Sequence, residues 1–94
     1  MLKKNRSFIS TEVTAASNDY GADIIGIDNR GRKWVIQCKR YSGSVGNSAV
    51  QEVVAAKAHY NAEKAAVMTN SRLTMNARKL AADNGVEVFE NLGD

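Results

Sequence analysis

The stretch that decides the fold is Ala22-Asp23-Ile24-Ile25-Gly26-Ile27-Asp28-Asn29-Arg30-Gly31-Arg32-Lys33-Trp34-Val35-Ile36-Gln37-Cys38-Lys39-Arg40. Residues 22–27 and 33–40 are rich in β-branched and aromatic side chains, and a short polar, glycine-containing segment separates them, the pattern of a β-hairpin. If Asn29-Arg30-Gly31 is a three-residue turn, with Gly31 supplying the left-handed conformation, Asp23 falls opposite Gln37. A bulge would shift that pairing by one residue. Side chains alternate along a strand, so Val35, Gln37 and Lys39 share one face while Trp34, Ile36 and Cys38 share the other. Asp23, Gln37 and Lys39 then lie at cross-strand or diagonal distances of roughly 5–8 Å.

Outward from the hairpin, residues 7–13 read as a strand ahead of a turn at 17–21. Residues 41–47 contain Gly43 and Gly46 and read as a flexible loop. A helix is expected over 49–60, because Ser48 and Gln51 fit a capping box and Ala49, Val53, Ala56 and Tyr60 share a face. Residues 65–69 form a short buried strand. A second helix is expected over 75–84, capped by Thr74 and ended by Gly85, with Leu73, Ala77, Leu80 and Ala81 as its apolar stripe. Residues 86–89 form the last strand. The order βββαβαβ implies an α/β fold, with a mixed central sheet flanked by helices.

The chain has 94 residues, which is enough for one small domain, 1–94, with 1–6 as a basic tail. Its 44% hydrophobic and 24% charged residues are those of a globular chain and argue against disorder. The single cysteine excludes an internal disulfide and a cysteine-based zinc site. No apolar run approaches the ~20 residues that span a bilayer, and none follows the basic N-terminus as in a secretory signal. A cytoplasmic protein with no membrane partner is expected. The net charge of +3 is uneven, since residues 1–40 hold eight basic and four acidic side chains. A basic half suits a polyanionic partner, and a merely solvated surface is the plainer alternative.

Polar groups near the centre of a small sheet are costly unless they have partners or a task. A carboxylate and an amide oxygen form the hard-oxygen set that Mg²⁺ prefers, and an adjacent ammonium can hold a metal-bound water or balance phosphate charge. An ordinary Asp–Lys pair with a hydrogen-bonding Gln is the alternative. His59 has no second histidine or cysteine at ligand spacing, and Cys38 and Trp34 read as core residues. No base accompanies Ser42 or Ser44, so a serine hydrolase is excluded.

The combination of Asp19-Tyr20-Gly21-Ala22-Asp23, Gln37-Cys38-Lys39-Arg40-Tyr41, Val50-Gln51-Glu52 and Thr69-Asn70-Ser71 resembles the Mrr-like catalytic domain of type IV restriction endonucleases, within the PD-(D/E)xK nuclease superfamily. The resemblance runs from about Phe8 to Glu90. It implies a restriction-endonuclease-like fold and a Mg²⁺- (or Mn²⁺-) dependent DNA endonuclease. Asp23 matches the metal-binding aspartate, Gln37 the position usually held by Glu or Asp, and Lys39 the catalytic lysine. The Cys38 carbonyl is implied as a further metal ligand. Asp19 matches a first aspartate that either binds a second metal or forms a turn. Gln51 matches a recurrent position that either supports the site or completes the helix cap. Arg40, Lys33, Arg32, Lys57 and Ser42 are candidate DNA contacts.

The helix with which such domains commonly begin, and its glutamate, are missing from the sequence pattern ahead of residue 7. Its absence leaves a second function class open: a catalytically incomplete module of the same fold that binds nucleic acid or protein. It also implies a sheet face left bare, to be covered by a second copy of the chain, with the 41–47 loop as a hinge for exchanging an element. A homodimer is therefore expected.

Overall fold

The computed structural model describes residues 8–13, 24–40 and 42–92. Five strands, β1 (Phe8–Val13), β2 (Ile24–Asp28), β3 (Lys33–Lys39), β4 (Lys64–Thr69) and β5 (Val86–Phe89), lie side by side in chain order. Helix α1 (Asn47–His59) joins β3 to β4, and α2 (Met75–Asp83) joins β4 to β5. Among the described residues the order is thus the expected βββαβαβ. The β1–β2 and β2–β3 pairs are antiparallel and the β3–β4 and β4–β5 pairs parallel, so the sheet is mixed. The residues in which the missing family helix was sought lie outside those described.

The hairpin has the expected register: Ile24 pairs with Ile36, Ile25 with Val35, Gly26 with Trp34 and Ile27 with Lys33. Gly31 turns the chain at φ 79°. Asp28 holds the turn together. Its Oδ1 accepts the backbone N–H groups of Arg30 and Arg32, and its Oδ2 accepts the Arg32 Nε and the Trp34 indole Nε1, each at 2.9 Å. Trp34 sits diagonally across the ladder from Asp28, a separation that a long aromatic side chain can span. The carboxylate is 2% exposed, and this burial alone would raise its pKa. The hydrogen bonds from Trp34, from the Arg32 and Arg30 amides and from the Arg32 side chain outweigh burial and hold it well below the usual carboxylate range.

Each sheet face has its own core. Val35, Ala65, Val67 and Val86 pack with Val45, Ala49, Val50, Val53, Ala56, Leu73, Ala77 and Ala81, which places both helices on one face. Two crossovers of the same hand that advance in the same direction across a sheet put their helices on the same side. Trp34, Ile36, Ala66 and Met68 form the opposite core, with Ile24, Cys38, Phe89 and Leu92 against it. These four side chains are at most 8% exposed in the single chain. Across the described residues of β3 and β4, the bare sheet face expected from the sequence is therefore not found, and among the described residues only Met75 is a strongly exposed large hydrophobic side chain.

Two local expectations are corrected. Helix α1 begins at Asn47 behind Gly46, with no side-chain cap, so Ser48 and Gln51 form no capping box. Its start is set by a long-range contact. Val45 forms a parallel bridge with Leu73, the Val45 N–H donating to Arg72 O at 2.8 Å and the Thr74 N–H to Val45 O at 2.9 Å. Ser71 Oγ also donates to Gly43 O at 2.7 Å. Val45 is 1% exposed, so residues 42–46 are stapled to the loop after β4 and do not form a loose hinge. Helix α2 matches expectation: Thr74 Oγ1 accepts the Ala77 N–H, and Gly85 lies at φ 68° beyond its end.

Because the folded carboxyl of Asp28 ionises below its ordinary pKa of about 3.9, it stabilises the fold above that pH and loses this contribution as pH falls toward the folded value. Asp28→Asn should lower the thermal midpoint at pH 7, and the gap from the parent should narrow as pH falls below about 4. A gap unchanged from pH 7 to pH 3 would show that Asp28 is not held as an anion.

Candidate active site

Gln37 and Lys39 lie near the end of β3, the middle strand of the sheet. They share the parity of Val35 and so face the helices. Along this face the neighbours turn from apolar to polar toward the carboxyl ends of the strands: Val35 is beside Ala65, Gln37 beside Val67, and Lys39 beside Thr69. In open α/β sheets, ligands bind outside these carboxyl ends.

Gln37 is 4% exposed, and its Oε1 has no hydrogen-bond partner. Leaving a buried amide oxygen unpaired costs about 1–3 kcal/mol, so both of its lone pairs are held ready for an acceptor's role at a cost in stability. Lys39 Nζ stands 3.7 Å from Glu52 Oε1 on α1. The Glu52 side chain is 45% exposed, and such a pair contributes little to stability, so the ammonium can be shared with an incoming anion. Sequence reasoning did not single out Glu52 as a site residue. The signal was available, since a helix that returns antiparallel to β3 after a short crossover lays its first turns along the end of that strand.

The other candidates separate by position. Arg40 is exposed directly after β3, and Ser42 is exposed in the stapled loop, both at the Lys39 end. The Cys38 side chain belongs to the opposite core, as expected. Gln51 is exposed and lines a groove with Val54, Ala55, Leu80 and Asn84. Arg32, Lys33 and Lys57 are at the other end of the sheet. Arg32 is bonded to Asp28, and Lys33 Nζ donates to Tyr60 O at 2.9 Å, just past the end of α1. At about 3.3 Å per residue, Lys33 is about 20 Å along β3 from Lys39, so these three cations do not gather around it. His59 is exposed and packs edge-on against Tyr60, with ring centroids 4.8 Å apart. Asp23 and Asp19 lie outside the described residues, and the described β2–β3 ladder ends at the Ile24–Ile36 pair.

A hard divalent cation takes oxygen ligands, and an unpaired buried amide oxygen is one. The described residues contain no group of three His, Cys, Asp or Glu side chains able to hold a metal. The donor chemistry of Gln37 fits such an ion. No described helix is long and apolar enough to cross a membrane.

The Mrr_cat family, described as restriction endonuclease, matches residues 2–91. EndoMS in its apo form is similar in structure, with TM-score 0.69 and 18% identity over 95% of this chain and 39% of that chain. EndoMS in a complex with double-stranded DNA gives TM-score 0.63 and 19% identity over 87% and 36%. A repair endonuclease from Pyrococcus abyssi gives TM-score 0.59 and 26% identity over 73% and 31%. The chain thus spans less than half the length of each. No curated protein matches the sequence.

Replacing an unpaired buried amide with an apolar group of similar size removes a desolvation cost and no hydrogen bond. Gln37→Leu should therefore raise the unfolding free energy by about 1 kcal/mol in a urea titration. A loss of stability of similar size would mean that the amide oxygen has a structural partner.

Proposed function

Because the chain belongs to the Mrr_cat restriction endonuclease family, we propose that it is a divalent-metal-dependent endonuclease that hydrolyses DNA phosphodiester bonds at the carboxyl end of β3. The observation that carries this reading is the buried, unpaired Oε1 of Gln37, two residues before Lys39 on the same face of the central strand. EndoMS, a structural neighbour, forms a complex with double-stranded DNA, which favours a duplex as the substrate.

In this reading Asp23, Gln37 Oε1 and the Cys38 carbonyl would hold Mg²⁺ or Mn²⁺, with Asp19 available for a second ion. The bound ion supplies Lewis acidity at the phosphate and charge for the transition state. Lys39 holds the attacking water and a phosphate oxygen through its ammonium, and Glu52 keeps that ammonium over the end of β3 until substrate arrives. Arg40 and Ser42 are placed to contact the backbone of the duplex without reading its sequence. Arg32, Lys33 and Lys57 are left out of the contact set by their position. Cutting both strands requires two such sites, so a pair of chains remains part of the proposal on chemical grounds. Light scattering that shows a lone chain of 10.2 kDa with and without DNA would remove it.

The deciding experiment incubates the protein with supercoiled plasmid in Mg²⁺, Mn²⁺ or EDTA. Nicking in metal and none in EDTA is expected. Asp23→Ala should abolish both metal binding and nicking, whereas Lys39→Ala should abolish nicking and leave most metal binding, because of these two residues Asp23 supplies a ligand and Lys39 only the water and phosphate contacts. Nicking by Asp23→Ala at the parent's rate would refute the assignment. Binding of duplex without cleavage in any metal would instead favour a catalytically incomplete binding module.

A further inference from the structure

We propose that Arg72, on the loop after β4, is a phosphate anchor for the DNA duplex; the proposal rests on the nuclease reading above and extends its contact surface beyond β3. Most cations around the sheet are already engaged: Lys39 with Glu52, Arg78 with Glu90, Lys64 with Glu87, Arg32 with Asp28 and Lys33 with Tyr60 O. Arg72 is exposed, and its guanidinium has no hydrogen bond or ion pair among the described residues.

The backbone beneath it is held unusually firmly for a loop. The Arg72 carbonyl accepts the Val45 N–H at 2.8 Å. On one side Ser71 donates its N–H to Thr69 Oγ1, donates its hydroxyl to Gly43 O and accepts the Asn91 N–H. On the other, the Leu73 N–H donates to Glu90 Oε2 at 2.6 Å, and Glu90 is itself held by Arg78. The rigid backbone fixes where the side chain leaves the loop, and the planar guanidinium fork is pre-organised for phosphate oxygens.

The position fits the scissile site. Thr69 lies beside Lys39 in register, and Arg72 follows three residues later. One strand spacing and three residues of chain put the Arg72 backbone within about 15 Å of Lys39. At about 3.4 Å of helix axis per phosphate, this is within about four phosphates along one strand. The staple between the 42–46 and 71–74 loops holds Arg72 on the same edge as the exposed Arg40 and Ser42. Together they form one basic rim along the carboxyl ends of β3 and β4.

The test is duplex affinity as a function of salt, measured by fluorescence anisotropy with a labelled oligonucleotide in Ca²⁺. Each phosphate neutralised on B-DNA contributes about 0.9 to the slope of log K against log[salt]. Arg72→Gln should reduce the slope by about that amount and weaken binding severalfold at low salt, uniformly across sequences. Arg72→Lys should keep the slope, since it keeps the charge. Arg30→Gln, at the hairpin tip on the opposite end, should leave the slope unchanged. An unchanged slope in Arg72→Gln, with the parent binding in a salt-dependent way, overturns this proposal and leaves the nuclease reading standing. Absence of parent binding to any duplex overturns both. The Arg72 side chain makes no hydrogen bond or ion pair among the described residues, so both variants should melt as the parent does. A large drop in midpoint would assign Arg72 a structural role and also overturn the proposal.

Discussion

The Asp28 carboxylate is the constraint on which the rest of the structure depends. Four donors converge on its two oxygens, from two backbone positions of the turn, the Arg32 guanidinium and the Trp34 indole. A slip of one residue would break the set and send every side chain of β3 to the wrong face. Gln37 and Lys39 would then point away from α1, and Trp34 and Ile36 would be forced among the helices. Charge placed at the hairpin turn thus decides which face of a strand end, about 20 Å away, carries polar chemistry.

A second constraint acts at that distant end. The parallel bridge between Val45 and Leu73 ties the two loops that leave β3 and β4, and so fixes where both helices begin. Loops joining β-strands to helices are usually where mobility collects, yet this pair carries a fully buried valine and several cross-loop hydrogen bonds. The rigidity places Lys39, Glu52, Arg40 and Arg72 along a common rim. It also makes exchange of an element through residues 42–46 costly, because Val45 would have to leave the core.

The site is held at the expense of packing. The helix-facing core is apolar through Val35, Ala65, Val67 and Val86, and the buried amide of Gln37 interrupts it with an oxygen that nothing in the described fold satisfies. Natural interiors rarely leave such an atom unpaired, and the exceptions gather where a ligand is expected. Glu52 plays the opposite part: its half-exposed pairing with Lys39 adds little stability.

The sequence by itself determined the element order, the hairpin register, the two sheet faces, the Thr74 cap and the Gly85 stop, because each depends on neighbours a few residues apart or on the alternation of a strand. The resemblance carried by Gln37-Cys38-Lys39-Arg40 likewise led to the family that residues 2–91 match. The Ser48–Gln51 capping box failed because a contact between Val45 and Leu73, far apart in the chain, sets the start of α1. The bare sheet face failed because burial of Trp34, Ile36, Ala66 and Met68 is a property of the folded chain as a whole. Arg32, Lys33 and Lys57 looked equivalent to Arg40 as cations, and only the direction of β3 and the return of α1 separated them from the site. Pairing Glu52 with Lys39 and leaving Arg72 unpaired were likewise decided by tertiary structure, since which charges meet depends on how the crossover folds back over the sheet.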